Sequence, residues 1–211
     1  MIEAFAAAIA GVALAQASPG PNMLAIAGVA LGQGRERALW TVGGIASAMF
    51  VWAAAVALGL AAVVAVFPST LTVLKLVGGG YLLWIAVKSL AAARRGGAPP
   101  VKADTAALTR AQAWRRGFFV VLTNPKAALM WAAVGTYLFG SGLNAWQVAA
   151  FGPLAALSAT LVYGTYGLLF STGIAMRAYA RFSRAIEAGL GIAFGLLGGR
   201  LVLDGLRELR A

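Results

Sequence analysis

Two short polar stretches interrupt apolar runs: Ser18-Pro19-Gly20-Pro21-Asn22 near the start of the chain and Thr123-Asn124-Pro125-Lys126 past its middle. Proline removes a backbone donor and bars a continuous helical ladder, so each stretch frees amides and carbonyls that hydrocarbon cannot satisfy. Asn124 suits a helix N-cap and Pro125 the first helical position, where its missing hydrogen would be unpaired anyway. A half-helix is therefore predicted to begin at Asn124, and another at Asn22. Helix N-termini carry partial positive charge and free amides, so two of them converging near the midplane would hold a carboxylate without an obligatory arginine. An amino-acid carboxylate would suit. The candidate substrate-binding residues are accordingly Ser18, Pro19, Gly20, Pro21, Asn22, Thr123, Asn124, Pro125 and Lys126. Lys126 has two readings, because a buried ammonium needs a partner and no acid lies near it in sequence. Either it helps bind the substrate carboxylate or an exchanged proton, or it reaches backbone carbonyls or an aqueous vestibule.

Positioning two such breaks requires membrane-spanning helices. Of 211 residues, 61% are hydrophobic and only 11% charged, which excludes an ordinary soluble domain. Apolar runs at 4–31, 39–67, 70–92, 116–140, 145–175 and 187–207 are each long enough to cross about 30 Å of hydrocarbon. They are continuously apolar rather than alternating, which excludes a membrane barrel. The fold class expected is an all-α membrane protein of six transmembrane helices, with helices 1 and 4 broken. The polar stretch 93–113 divides the chain into residues 1–92 and 114–211, three spans each. An odd number of spans per half makes any structural repeat an inverted one, a 3+3 arrangement common in secondary transporters.

The net charge of +11 does not indicate nucleic acid, because the basic residues collect in particular connections. Arg35 and Arg37 follow span one, Lys88, Arg94, Arg95, Lys102, Arg110, Arg115 and Arg116 surround the linker, and Arg177, Arg181 and Arg184 precede span six. These twelve of the 17 cations lie on one side, which the positive-inside rule makes cytoplasmic, with both termini outward. Arg207 and Arg210 at the C-terminus run against that placement. Ala15-Gln16-Ala17 has the form of a signal cleavage site, but the segment lacks a basic n-region and apolar sequence resumes after it. Without cysteine or histidine, disulfide relay, thiolate redox chemistry and the commonest zinc ligands are excluded. Six acids are too few for a cation exporter's ligand set. No catalytic residue, metal site or cofactor is expected, so the chain is not read as an enzyme.

Several other residues have paired readings. Arg200 and Asp204 are one turn apart, so Asp204 is either half of a structural ion pair or the carboxylate that carries a coupling proton. Ser158, Thr160, Tyr163, Thr165 and Tyr166 put hydroxyls into span five for helix-to-helix hydrogen bonds or for a substrate ammonium. Gly191, Gly195 and Gly199, like Gly28 and Gly32, form bare ridges for internal helix packing or for a homodimer contact. Trp40, Trp114 and Trp146 sit at span starts, as headgroup anchors do.

With these motifs the chain resembles the LysE/RhtB family of amino-acid exporters, six-span inner-membrane proteins of bacteria. The resemblance rests on Ser18 to Asn22, on Gly34-Arg35 with Gly43-Gly44, on Val73 to Lys88, and on Arg116-Gly117-Phe118 leading into Asn124-Pro125-Lys126-Ala127. It implies a multi-pass secondary transporter in the bacterial inner membrane, surrounded by lipid, exporting a small amino acid from the cytoplasm with proton exchange. Family exporters of lysine or arginine carry acids at places that align with Met49 and Met130, which implies a neutral substrate here. Met49, Met130, Tyr163, Tyr166 and Asp204 are thus candidate residues of the substrate or proton pathway. The family's downstream Pro-Gln pair is missing, with Thr136-Tyr137 at about that place. The alternatives are export of another small solute or cation, or a non-transporting membrane subunit, which would leave two matched helix breaks unexplained.

Overall fold

The computed structural model describes residues 1–67, 69–96, 101–172 and 174–209. Pro99, Pro100 and Arg210 lie outside them. The described residues are helical almost throughout and include no strand. In order they form α1 (Ile2–Ala17), α2 (Pro21–Ala55), a π-turn (Val56–Leu60), α3 (Ala61–Val66), α4 (Thr70–Arg95), α5 (Arg110–Leu122), α6 (Pro125–Gly140), α7 (Ala145–Ala149), α8 (Gly152–Phe170) and α9 (Ile174–Glu208).

Four runs are long and apolar enough to cross a bilayer: Pro21–Leu60, Thr70–Arg95, Ala145–Phe170 and Arg181–Glu208. Together α5 and α6 make a fifth, bent by 60° at Thr123-Asn124. Helix α1 is apolar but shorter, and Ser18-Pro19-Gly20 separates it from α2. Both expected helix breaks are therefore present. Inside α2 the path is interrupted again at Gly34, whose φ of 80° lies in the left-handed region that favours glycine.

Lipid tails are as apolar as leucine, so close backbone approach and hydrogen bonds, not hydrophobicity, must hold these helices together. Glycine supplies that approach. Helix α4 lies mainly along α9, where a Cβ on Gly198 would come within 2.7 Å of the Gly79 carbonyl oxygen, and one on Gly79 within 2.9 Å of that of Gly198. Gly191 and Gly195 face α4 at Ala86, as the packing reading expects, but Gly199 has nothing within 4 Å. The face continues instead through Gly198 and Gly205. Helix α2 lies mainly against α5 and α8. Side chains on Gly44 and Gly117 would collide with the carbonyls of Trp114 and Thr41 respectively, so two of the family-like motifs form one tight crossing.

Gly28 and Gly32 receive no helix. Residues 101–109, neither helix nor strand, lie over them: Asp104 N donates to Gly28 O at 2.9 Å, and a Cβ on Gly28 would stand 3.0 Å from Lys102 O. Gln33 holds the same strap from both sides, donating to Asp104 O at 3.3 Å and accepting from Leu108 N at 2.9 Å. Arg37 Nε donates to Leu108 O at 2.8 Å, and Asp104 pairs with Arg116. The connection is thus fastened to α2 on either side of Gly34. Trp40 and Trp146 are exposed, as anchors should be. Trp114 is half-buried instead: it stacks on Phe118 at 5.0 Å and donates to Ser47 Oγ at 3.3 Å, inside the α2–α5 joint.

Gly198→Ala should destabilise the detergent-solubilised protein by about 1–3 kcal/mol, the usual effect of overpacking a tight contact. Gly199→Ala, with open space around it, should leave the thermal melt unchanged or raise it. Equal melting temperatures for the two variants would contradict the α4–α9 packing.

Candidate functional site

The two breaks meet. Asn22, second residue of α2, and Asn124, directly before α6, are 8% and 5% exposed, and Asn124 Nδ2 donates to Asn22 Oδ1 at 2.9 Å. Asn22 Nδ2 donates in turn to the Tyr163 hydroxyl at 3.1 Å. Asn124 is also the N-cap of α6, its Oδ1 accepting from Lys126 N at 2.9 Å, as its residue type predicts. Asn22 caps nothing: Gly20 occupies the cap position and Pro21 the first turn, so the Asn22 amide is left to face its counterpart. These amides were drawn from breaks 102 positions apart in the chain.

Ending α1 at Ser18 strands its last carbonyls, and neighbours take them over. Ser18 N donates to Leu14 O at 3.0 Å, Ser18 Oγ to Ala15 O at 2.9 Å, and the Tyr166 hydroxyl to Ala17 O at 2.6 Å. The Lys126 ammonium donates to Ser18 Oγ and lies 3.4 Å from the carbonyl oxygens of Ser18 and Pro19. Of its two readings, the one that reaches backbone carbonyls describes this geometry. At the start of α6 the ammonium would oppose that helix's dipole; folded back onto the C-terminal end of α1, it meets a favourable one. The charge of Glu187, half-buried on α9, also acts on it. Glu187 and the exposed Glu3 make no ion pair with a described residue, whereas Glu36, Asp104, Asp204 and Glu208 all do.

Between the breaks lies a cavity of about 20 Å³, roughly room for a single water. Ser18, Gly20, Asn22, Asn124 and Lys126 line it, together with Met49, Met130 and Tyr163. Thr123 is exposed and returns its hydroxyl to Phe119 O at 2.8 Å, Pro21 and Pro125 are exposed, and Pro19 contributes only its carbonyl. Tyr166 stands behind the cavity, holding α1, and Asp204 lines a different one. Of the other hydroxyls, Thr160 and Thr165 bond carbonyls of their own helix.

One polar lining residue has no place in the sequence-based set. Gln16, 3% exposed, accepts from Ser158 Oγ at 2.7 Å and donates to Ala155 O at 3.3 Å, tying α1 to α8 beside the cavity. Its signal was available: a lone carboxamide in an apolar span, one turn before a break. No carboxylate lines the cavity, and no group of three or more potential metal ligands occurs among the described residues.

Residues 13–205 match the LysE type translocator family over almost the whole chain. The chain belongs to this family. Among relatives, the threonine efflux proteins of Salmonella typhi and Escherichia coli K12 are each 28% identical, with 89% of this chain and 91% of theirs aligned. A membrane protein of Haemophilus influenzae of uncharacterised function is 25% identical over 91% of this chain and 92% of its own. No solved structure matches. This LysE-family chain is a membrane-embedded transporter, not an enzyme, and a multi-pass protein of the bacterial inner membrane.

A double-mutant cycle on Asn22→Ala and Asn124→Ala should give a coupling energy of about 0.6–1.7 kcal/mol, the range of hydrogen bonds between membrane helices. Additive effects on the unfolding free energy would mean that the two amides do not bond.

Proposed function

We propose that this protein exports a neutral amino acid from the cytoplasm, with the two helix breaks as its substrate site. The observation that carries the reading is the pairing of Asn22 with Asn124 beside Lys126, around a cavity with one cation and no carboxylate. The first amides of α2 and α6 would take the substrate carboxylate, with Lys126 turning to it from Ser18 and Pro19, and the Ser18 groups so released, with the Tyr163 hydroxyl, would take its ammonium. Met49 and Met130 would face its side chain, and with no acid there a cationic side chain would lack a counter-ion. Threonine, the substrate named in its relatives, is the first candidate. The site at about 20 Å³ must open to admit it.

The architecture we infer is six spans in a 3+3 inverted repeat of residues 1–92 and 114–211, joined by 93–113. In it α1 and residues 21–33 form the broken first span, Gly34 turns the chain into the second, and α5 with α6 is the broken fourth. Support comes from the packing: break faces break, second span lies against fifth (α2–α8), and third against sixth (α4–α9). An axis that exchanges the halves brings equivalent elements together in this way. Alternating access would move the α4–α9 pair, which is bound far more extensively within itself than to α1 or α8, against the rest. The clustered basic residues put the strap at the cytoplasmic face.

Coupling to a proton is part of the proposal, and Glu187 is the acid we assign to it, since of the two acids without an ion pair to a described residue it is half-buried and faces the charge of Lys126, whereas Glu3 is exposed. Asp204 is flanked by Arg200 and Arg207 instead.

In proteoliposomes loaded with mixed amino acids, mass spectrometry should find selective loss of threonine or another neutral amino acid that responds to an imposed proton gradient. Asn124→Leu should abolish that loss while the protein still inserts; an unchanged rate would refute the site. Glu187→Gln should retain exchange of labelled for unlabelled substrate but lose its response to the gradient. Gradient-driven export by that variant at the parental rate would remove Glu187 from the mechanism.

A further inference from the structure

A second cavity adjoins the first. It is bounded by α1, α4, α6 and α9 and has a volume of about 170 Å³. Cavities of about 150 Å³ in protein interiors hold a six-membered ring, so this one admits a solute of the size of a small amino acid, which the space between the breaks does not. Ala15 and Met130 line both cavities, so they share a wall only one residue thick. Ala7, Gly11, Ala133, Leu197 and Leu201 make its sides small and apolar.

The two charged residues of its lining, Arg200 and Asp204, belong to the last turns of α9. From Arg184, in the basic cluster, to Arg200 is sixteen residues, or roughly 24 Å along a helix, most of a bilayer's hydrocarbon thickness. The cavity therefore leads away from the basic face of the protein. Asp204 stands 3.9 Å from Arg200 and 3.8 Å from Arg207, beyond hydrogen-bond length in both cases, with 42% of its side chain exposed. Carboxylate and guanidinium are near enough to neutralise one another and loose enough to exchange partners with a zwitterion's ammonium and carboxylate.

We propose that this cavity is the outward vestibule of the export path, a second resting site for the same small zwitterionic solute, with Met130 as the side chain that separates it from the helix breaks. The proposal rests on the reading of those breaks as the substrate site. The small stripe of Ala7, Gly11 and Ala15 then has a use besides helix packing: it keeps the wall of the vestibule bare.

The chain contains no cysteine, so Ala7→Cys and Leu201→Cys each introduce a unique thiol into the vestibule lining. Leu203→Cys, 56% exposed on the same helix and outside that lining, is the lipid-facing control. A permanently charged, membrane-impermeant methanethiosulfonate reagent, added from outside to intact cells, is attacked only by a thiol that can ionise in water, whose thiolate forms the mixed disulfide and expels methanesulfinate. Both vestibule thiols should react at least about tenfold faster than the control, and external threonine or the exported amino acid should slow them. Rates no faster than at Leu203→Cys would show a groove filled by lipid and overturn the proposal. Fast reaction that no amino acid slows would leave a wet crevice and overturn the resting site. Labelling reads water access and not export, so it can fail while Asn124→Leu still abolishes transport, and the vestibule alone then falls.

Discussion

The hydrogen bond between the side chains of Asn22 and Asn124 is the constraint on which the remainder of the interior depends. Two helices end inside an apolar protein, and each end leaves backbone groups that hydrocarbon cannot solvate. With the amides paired, both ends are held in register, and side chains from several elements gather around them. Tyr163 and Tyr166 come from α8, Lys126 from α6 and Gln16 from α1 itself. Loss of register would expose several of these groups at once, since each is buried on the assumption that the others are in place.

The network can form only because the helices around it approach closely. Gly79 with Gly198, and Gly44 with Gly117, bring backbones to distances that any Cβ would forbid. Gly44, Gly79 and Gly117 belong to the same stretches that carry the family resemblance, so part of that resemblance is a record of helix crossings, and part of the two breaks. The glycine contacts are rigid and peripheral; the polar breaks are central and enclose a small cavity between them. A transporter needs both: stiff bodies, and a seam between them where few contacts oppose movement.

How much could be read beforehand follows from what each feature depends on. The breaks, the N-cap at Asn124 and the helical course of the chain are local, set by proline, asparagine and apolar length, and were legible. The position of Lys126 depends on where α1 ends relative to α6, so the sequence allowed two readings, and the geometry places its ammonium against the carbonyls at the end of α1. The surroundings of Trp114 and of the Gly28–Gly32 ridge were not legible for one reason: position along a helix does not reveal what arrives from elsewhere. In one case α5 crosses α2, and in the other an irregular strap takes the place of a helix. Gln16 and Glu187 were missed because neither belongs to a motif, and their significance comes from Ser158, Ala155 and Lys126, all distant in sequence.

The distance in sequence between the two asparagines also bears on how the protein is made. At synthesis rates of about 5–20 residues per second, the 102 positions that separate Asn22 from Asn124 represent roughly 5–20 s. Through that interval the nascent first break has neither Asn124 nor Lys126 nor the tyrosines of α8 to satisfy it. The unfinished chain must therefore keep its first break in contact with water, the translocation machinery or a chaperone until the second half arrives. Insertion of this protein is consequently completed late and as a whole, and a chain stopped before α8 would present the membrane with an open wound of unpaired amides and carbonyls.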